Sequence, residues 1–200
     1  SPLLANVYLH YVLDEWFEQE VKPRLRGRAQ LIRYADDATL VFATEADARR
    51  VMEVLPKRFG RYGLRLHPSK TRLVRCYPPR AGETDAESSF DVLGFTHYWG
   101  RTRRGGWTLK RKTAKDRFAR ALRSIKHWCR GHRHEPLEAQ HLTLSRKLRG
   151  HYAYYGISGN ARAIATFRFW VERMWIKWLG RRSQRARLNW DRAASVAARF

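Results

Sequence analysis

Asp36 and Asp37 stand side by side in the segment Leu31-Ile-Arg-Tyr-Ala-Asp-Asp-Ala-Thr-Leu-Val-Phe42, in a chain of 200 residues with 41 Lys and Arg against 18 Asp and Glu. Adjacent carboxylates suit a hard divalent ion. Mg²⁺ takes oxygen ligands in a near-octahedral shell and is commonly held by one or two carboxylates together with substrate phosphates. Two such ions roughly 3.5–4 Å apart stabilise the attacking and leaving oxygens of an in-line displacement. A metal site facing a polyanion is therefore one reading of the pair. Aspartate is also an ordinary turn former, and the pair alone does not separate the two. One hairpin supplies only part of a two-metal cage, and a third carboxylate has to come from a neighbouring strand.

The runs 31–34 and 38–43 are rich in β-branched and aromatic residues, which places the pair where a hairpin turn would be. A helix is expected before it, over about 2–20, with Pro2 in the first turn, Leu4, Val7, Tyr8 and Tyr11 on one stripe, and a solvated acidic end at Glu15, Glu18 and Glu20. Thr44 with Asp47 three residues on has capping-box spacing and opens a second helix, whose core face is Ala48, Val51, Leu55 and Phe59. Pro56 is expected to kink it, and Gly60 or Gly63 to end it. Gly63 to Val74 reads as two short strands around a His67-Pro68-Ser69 turn, with Lys70 just beyond. Residues 78–89 read as a surface loop. Phe90 to Trp99 and Trp107 to Lys112 then form a hairpin. Its basic, glycine-rich tip, Arg101, Arg103 and Arg104 before Gly105 and Gly106, suits phosphate tracking and equally an ordinary solvated turn.

Beyond this hairpin the spacing turns helical. Thr113 and Asp116 repeat the capping-box spacing, Phe118, Ala121, Leu122, Ile125 and Trp128 form an apolar stripe, and Arg117, Arg120, Arg123 and Lys126 cover the outside. A further helix starts near Pro136 with Leu137, Leu144, Leu148, Tyr152 and Tyr155. Another starts near Asn160 with Ile164, Phe167, Val171, Met174 and Trp178, and stops at Gly180. Phe169, Trp170, Trp175 and Ile176 fall off that stripe. The expected fold is α+β, an antiparallel sheet with helices followed by a three-helix bundle.

Charge is unevenly spread: residues 108–200 hold 23 basic and 5 acidic side chains, against 18 and 13 over residues 1–107. Lys and Arg at this density, interleaved with Trp128, Trp170, Trp175, Trp178 and Trp190, suit phosphate neutralisation combined with stacking. Lys110, Arg111 and Lys112 extend the footprint into the preceding strand. A membrane role is disfavoured, since there is no lipidation motif, signal peptide or apolar run long enough to span a bilayer. The two cysteines form no framework, which fits a reducing, cytoplasmic setting. Cys129, His132, His134 and His141 are close in sequence, but their spacing matches no zinc-finger pattern.

Ser1-Pro-Leu-Leu-Ala-Asn6, Tyr34-Ala-Asp-Asp37, Gly63-Leu-Arg-Leu-His-Pro-Ser-Lys-Thr71 and Leu93-Gly-Phe95, in this order and spacing, resemble the later palm motifs of the reverse transcriptase encoded by bacterial group II introns. The region 113–192 resembles that family's maturase-specific thumb. The resemblance implies a partial palm over 1–112 and a thumb over 113–200. It implies Asp36 and Asp37 as ligands of two Mg²⁺ ions, Asp36 the more direct, with Tyr34 and Ala35 beside the primer end. It also implies Lys70 at the leaving pyrophosphate and Leu93, Gly94 and Phe95 as a primer grip. The implied partners are group II intron RNA, an RNA template with a DNA primer, and dNTP. The family's fingers, its first palm strand with the third aspartate, and a Pro-Gln-Gly segment are not in this sequence, and neither Asp14 nor Asp91 replaces that aspartate. The chain is thus expected to be the carboxy-terminal part of a polymerase, inactive alone, with a truncated RNA-binding module as the alternative.

Overall fold

The computed structural model describes residues 2–79 and 89–182. The chain divides into two compact units, one ending at Ser88 and the other beginning at Ser89. Most of the loop expected over 78–89 lies outside the described residues, as does Trp190.

The first unit opens with α1 (Pro2–Leu9), which continues as π-helical turns over His10–Glu15 and Phe17–Val21 and one 3₁₀ turn at Lys22–Arg24. The expected stripe is not the buried one. Leu4, Val7, Tyr8 and Tyr11 are exposed, and Val12, Leu13, Trp16 and Phe17 enter the core instead. α1 buries no residue, and Val12 and Leu13 turn inward only where pairing widens to i to i+5 and departs from a period of 3.6. Glu18 is solvated and ion-paired with Lys22.

β1 (Ala29–Tyr34) and β2 (Asp37–Phe42) form an antiparallel hairpin in which Tyr34 faces Asp37 and Ala29 faces Phe42. Directly opposite residues share a face. Ala29, Leu31, Leu40 and Phe42 therefore pack on the core, while Gln30, Ile32, Tyr34, Asp37, Thr39 and Val41 look outward.

α2 (Glu45–Arg61) starts at Thr44, whose hydroxyl accepts from the Asp47 N–H, and runs on through Pro56. Ala48, Val51, Leu55 and Phe59 are buried as expected. Gly63, at φ 68°, ends it: the Gly63 N–H reaches the Gly60 carbonyl and the Leu64 N–H the Phe59 carbonyl, the paired bonds of a Schellman motif. Asp47 does more than cap. Its buried carboxylate accepts from the Thr44 hydroxyl and from the N–H groups of Gly27 and Arg26, tying the connector before β1 to α2.

The Thr44 hydroxyl, and after it the Gly27 amide, hold the Asp47 carboxyl below the usual carboxylate range. A depressed folded-state value contributes stability that is fully present above the unfolded value of about 3.9 and lost as pH falls through the folded one. We expect the urea midpoint of the first unit to fall below about pH 4, and less steeply in Asp47→Asn. A midpoint equally pH-dependent in both proteins would remove Asp47 from the account.

Residues 64–76 form no strand, contrary to the sequence expectation. Leu64 and Leu66 pack on the core, but no ladder partner runs beside them among the described residues, and Pro68 lacks a donor. The His67 carbonyl instead accepts from the N–H groups of Lys70 and Thr71, closing a turn.

The second unit begins with a meander of three strands, β3 (Phe90–Val92), β4 (Phe95–Arg101) and β5 (Trp107–Thr113), rather than one hairpin. The extra reversal falls at Leu93-Gly94. α3 (Lys115–Gly131), α4 (Leu137–Tyr155) and α5 (Ala161–Leu179) follow and bury Ile125, Cys129, Leu144, Phe167, Val171, Trp175 and Leu179 together.

Two further expectations are corrected here. Thr113 does not cap α3: it ends β5, where its N–H and hydroxyl are taken by the side-chain amide of buried Asn160. Trp175 is core, because residues 167, 171, 175 and 179 form an i, i+4 row; its indole N–H donates to Gln140 at 2.9 Å. Phe169 and Trp170 are exposed.

Candidate metal centre and nucleic-acid surface

The hairpin turn consists of Ala35 and Asp36, and Asp37 is already the first residue of β2. Ala35 has φ 52° while Asp36 does not share a positive φ. Positive φ at the first central position alone is the type II′ pattern, which glycine usually fills. An L-residue there costs of order 1–2 kcal/mol. Ala35 and Leu93 are the two non-glycine residues with positive φ among the described residues, and each lies in a motif singled out by sequence.

Both aspartates are exposed at this tip. Among the described residues neither carboxylate takes part in a hydrogen bond or ion pair, although the chain carries a net charge of +23. Two adjacent oxygen donors left free in a basic protein fit a hard cation. No group of three or more His, Cys, Asp or Glu among the described residues is placed to hold an ion. Asp14 is held by Arg33, and Asp91 accepts from the Thr96 hydroxyl in the other unit.

Arg33 has no precedent in the sequence reading. It lies on the inward face of β1 with Leu31 and Ala29, and its side chain is 13% exposed. Nε and Nη2 donate to the two carboxylate oxygens of Asp14 at 2.7 and 2.6 Å, and Nη1 donates to Asn6 Oδ1 at 2.9 Å and to the Ala35 carbonyl at 2.8 Å. The hydrogen bonds from Arg33 hold the Asp14 carboxyl below its ordinary range, and Asp14 raises the guanidinium in return. The available signal was an arginine at a core-facing position of an alternating strand.

Tyr34 is exposed on the same face as Asp37. Lys70 is exposed in the His67–Thr71 turn. The second unit brings Leu93, Gly94 and Phe95 together as a tight turn with φ 49° at Leu93 and 77° at Gly94, the type I′ pattern. Tyr154 donates its hydroxyl to the Leu93 carbonyl at 2.8 Å and stacks on Phe95, while the Ala114 N–H reaches the Gly94 carbonyl at 2.9 Å. The φ of Gly94 favours glycine, and a Cβ there would also crowd the Tyr155 hydroxyl at 3.0 Å.

Residues 1–97 match the family model for reverse transcriptase (RNA-dependent DNA polymerase), and residues 118–195 match that for the group II intron maturase-specific domain. The chain belongs to the group II intron reverse transcriptase and maturase family. No curated protein matches it. The reverse-transcriptase match ends at residue 97 inside β4, and the Leu93-Gly94 turn lies in the same compact unit as α3, α4 and α5.

In the maturase segment Arg117, Arg120, Arg123 and Lys126 are exposed along α3. The basic residues of the β4–β5 hairpin divide into two sets. Arg101 folds back on its tip, donating to the Gly105 carbonyl at 2.7 Å and lying 4.2 Å over the Trp107 ring, and Lys110 donates to the Arg101 carbonyl. Lys112 lies 4.8 Å over Tyr98. Arg103, Arg104 and Arg111 are exposed. Cys129 is buried in the helical core, and burial pushes its thiol up to about 11. His132 stacks on Trp128, His141 lies 3.2 Å from the Ser145 hydroxyl, and His134 is exposed. No helix among the described residues is long and apolar enough to cross a membrane.

Proposed function

We propose that Asp36 and Asp37 are the palm carboxylates of an RNA-directed DNA polymerase and hold Mg²⁺, with residues 1–112 as the palm part and 113–200 as the maturase thumb. The observation that carries this reading is the pair of partnerless carboxylates on a strained turn in a chain otherwise dominated by cations. When bound, Mg²⁺ supplies charge neutralisation and in-line alignment for phosphoryl transfer from dNTP to a primer hydroxyl. Asp36 and Asp37 contribute the oxygen donors. Tyr34 and Ala35 lie against the primer end, Lys70 donates to the leaving pyrophosphate, and the Leu93-Gly94-Phe95 turn grips the primer. Arg103, Arg104, Arg111, Arg117, Arg120, Arg123 and Lys126 meet phosphates of intron RNA or of the template–primer duplex, and Arg101, Lys110 and Lys112 do so from their anchored positions. This work is done in the cytoplasm.

The metal assignment is tested by replacing Mg²⁺ with Fe²⁺ and generating hydroxyl radicals at the bound iron. Backbone cleavage is expected at residues beside Asp36 and Asp37 and to be suppressed by excess Mg²⁺. Cleavage elsewhere, or none, would refute the assignment.

A further inference from the structure

Resting on the metal reading just given, we propose that Arg33 is a positioning residue. It holds the Ala35-Asp36 turn in the conformation that presents the two carboxylates, and Asp14 and Asn6 fix its guanidinium in place.

Four hydrogen bonds leave this one side chain, and they reach three separate pieces of chain: Asn6 in α1, Asp14 in the π-helical turn, and the Ala35 carbonyl. Only the last is local, two residues away. The planar fork makes the combination possible, because the edge bearing Nε and Nη2 matches a carboxylate while Nη1 is left to donate in another direction. The bond to Ala35 falls on the residue whose φ of 52° an alanine does not adopt without strain. Rotation of Ala35 to a negative φ would redirect the chain at Asp36, the next residue. Arg33 points inward, away from the face that carries Tyr34 and Asp37, so it acts on the carboxylates through the backbone and not by touching them.

The test is a Mn²⁺ titration of the 200-residue protein, read by paramagnetic broadening of the Asp36 and Asp37 amide signals in two-dimensional NMR. The proteins compared are wild type, Arg33→Lys, Asp14→Asn, and each variant combined with Ala35→Gly. Lysine keeps the charge and loses the fork. Glycine adopts the turn conformation at no steric cost and removes the need for a clamp. Each single variant is expected to bind Mn²⁺ at this turn about 10–100-fold more weakly, as for other groups that orient metal ligands without touching the metal. Ala35→Gly is expected to restore most of the loss, with the signals of α2 unchanged throughout.

Wild-type affinity in Arg33→Lys and Asp14→Asn would overturn the positioning role while leaving the metal site standing. So would a loss that Ala35→Gly fails to restore, since Arg33 would then act only through the general fold. Should Arg33→Lys lose its hairpin signals, the Asp14→Asn pair is read by the same criteria. Absence of broadening in the wild type defeats the metal reading itself, and is distinguishable from either of the other results.

Discussion

Asp36→Asn is expected to abolish primer extension when the chain is assayed within a polymerase that also carries fingers and the first palm strand. The amide keeps the size of the carboxylate and its place on an exposed tip, so the fold has little reason to change. What it loses is the negative charge that offsets a divalent ion and one of the oxygen donors that an octahedral shell demands. Alignment and charge neutralisation are most of what a protein contributes to phosphoryl transfer, and a loss of about 10³-fold or more follows. RNA binding by the same variant should be unaffected, because the basic surfaces lie on other elements. Normal extension by Asp36→Asn would remove the palm assignment, and loss of RNA binding would show that the substitution had disturbed more than the site.

The second large effect is ionic. With 23 basic and 5 acidic side chains over residues 108–200, binding to structured intron RNA should be driven by release of counterions from phosphates. A protein that neutralises about 6–10 phosphates loses about 10³–10⁵ in affinity between roughly 50 and 200 mM salt, and a loss in that range is expected here. Reversing Arg117, Arg120 and Arg123 to glutamate should weaken binding and flatten the salt dependence by about one unit of slope for each phosphate left without its arginine. Ile125→Ala, on the buried face of the same helix, should instead cost the bundle about 2–5 kcal/mol and leave the salt slope of the folded protein alone. Affinity that ignores salt would refute the electrostatic account.

Elements whose signals are local were legible from the residues. Thr44 and Gly63 bracket α2 because a cap hydroxyl and a left-handed glycine act within one turn, and the three bundle helices follow from apolar spacing alone. What failed to show were features set by distant partners. Thr113 had the spacing of a cap, but Asn160, 47 residues away, claims its hydroxyl. The segment after Gly63 had the composition of strands and, among the described residues, no neighbour to pair with. Leu93-Gly94 lacks the usual Asn-Gly or Asp-Gly signature of a type I′ turn, so β3 merged with β4 in the sequence reading. At the candidate site, the acidic pair stood out by residue type. The pairing of Arg33 with Asp14 did not, because the two are 19 positions apart and no periodic pattern links a helix to a strand.

Short turns ordinarily belong to the parts of a protein that open most easily, exchanging their amide protons without waiting for the rest of the structure. The Leu93-Gly94 turn is fastened differently. Its two carbonyls are taken by Tyr154 and by the backbone at the start of α3, and the strand end beside it is locked to Asn160 at the start of α5. Freeing it requires breaking the bonds that tie it to Tyr154 of α4 and to Ala114 at the start of α3. The turn is therefore expected to open less readily than the exposed 102–106 tip of the β4–β5 hairpin, a difference that amide exchange of the two turns would show.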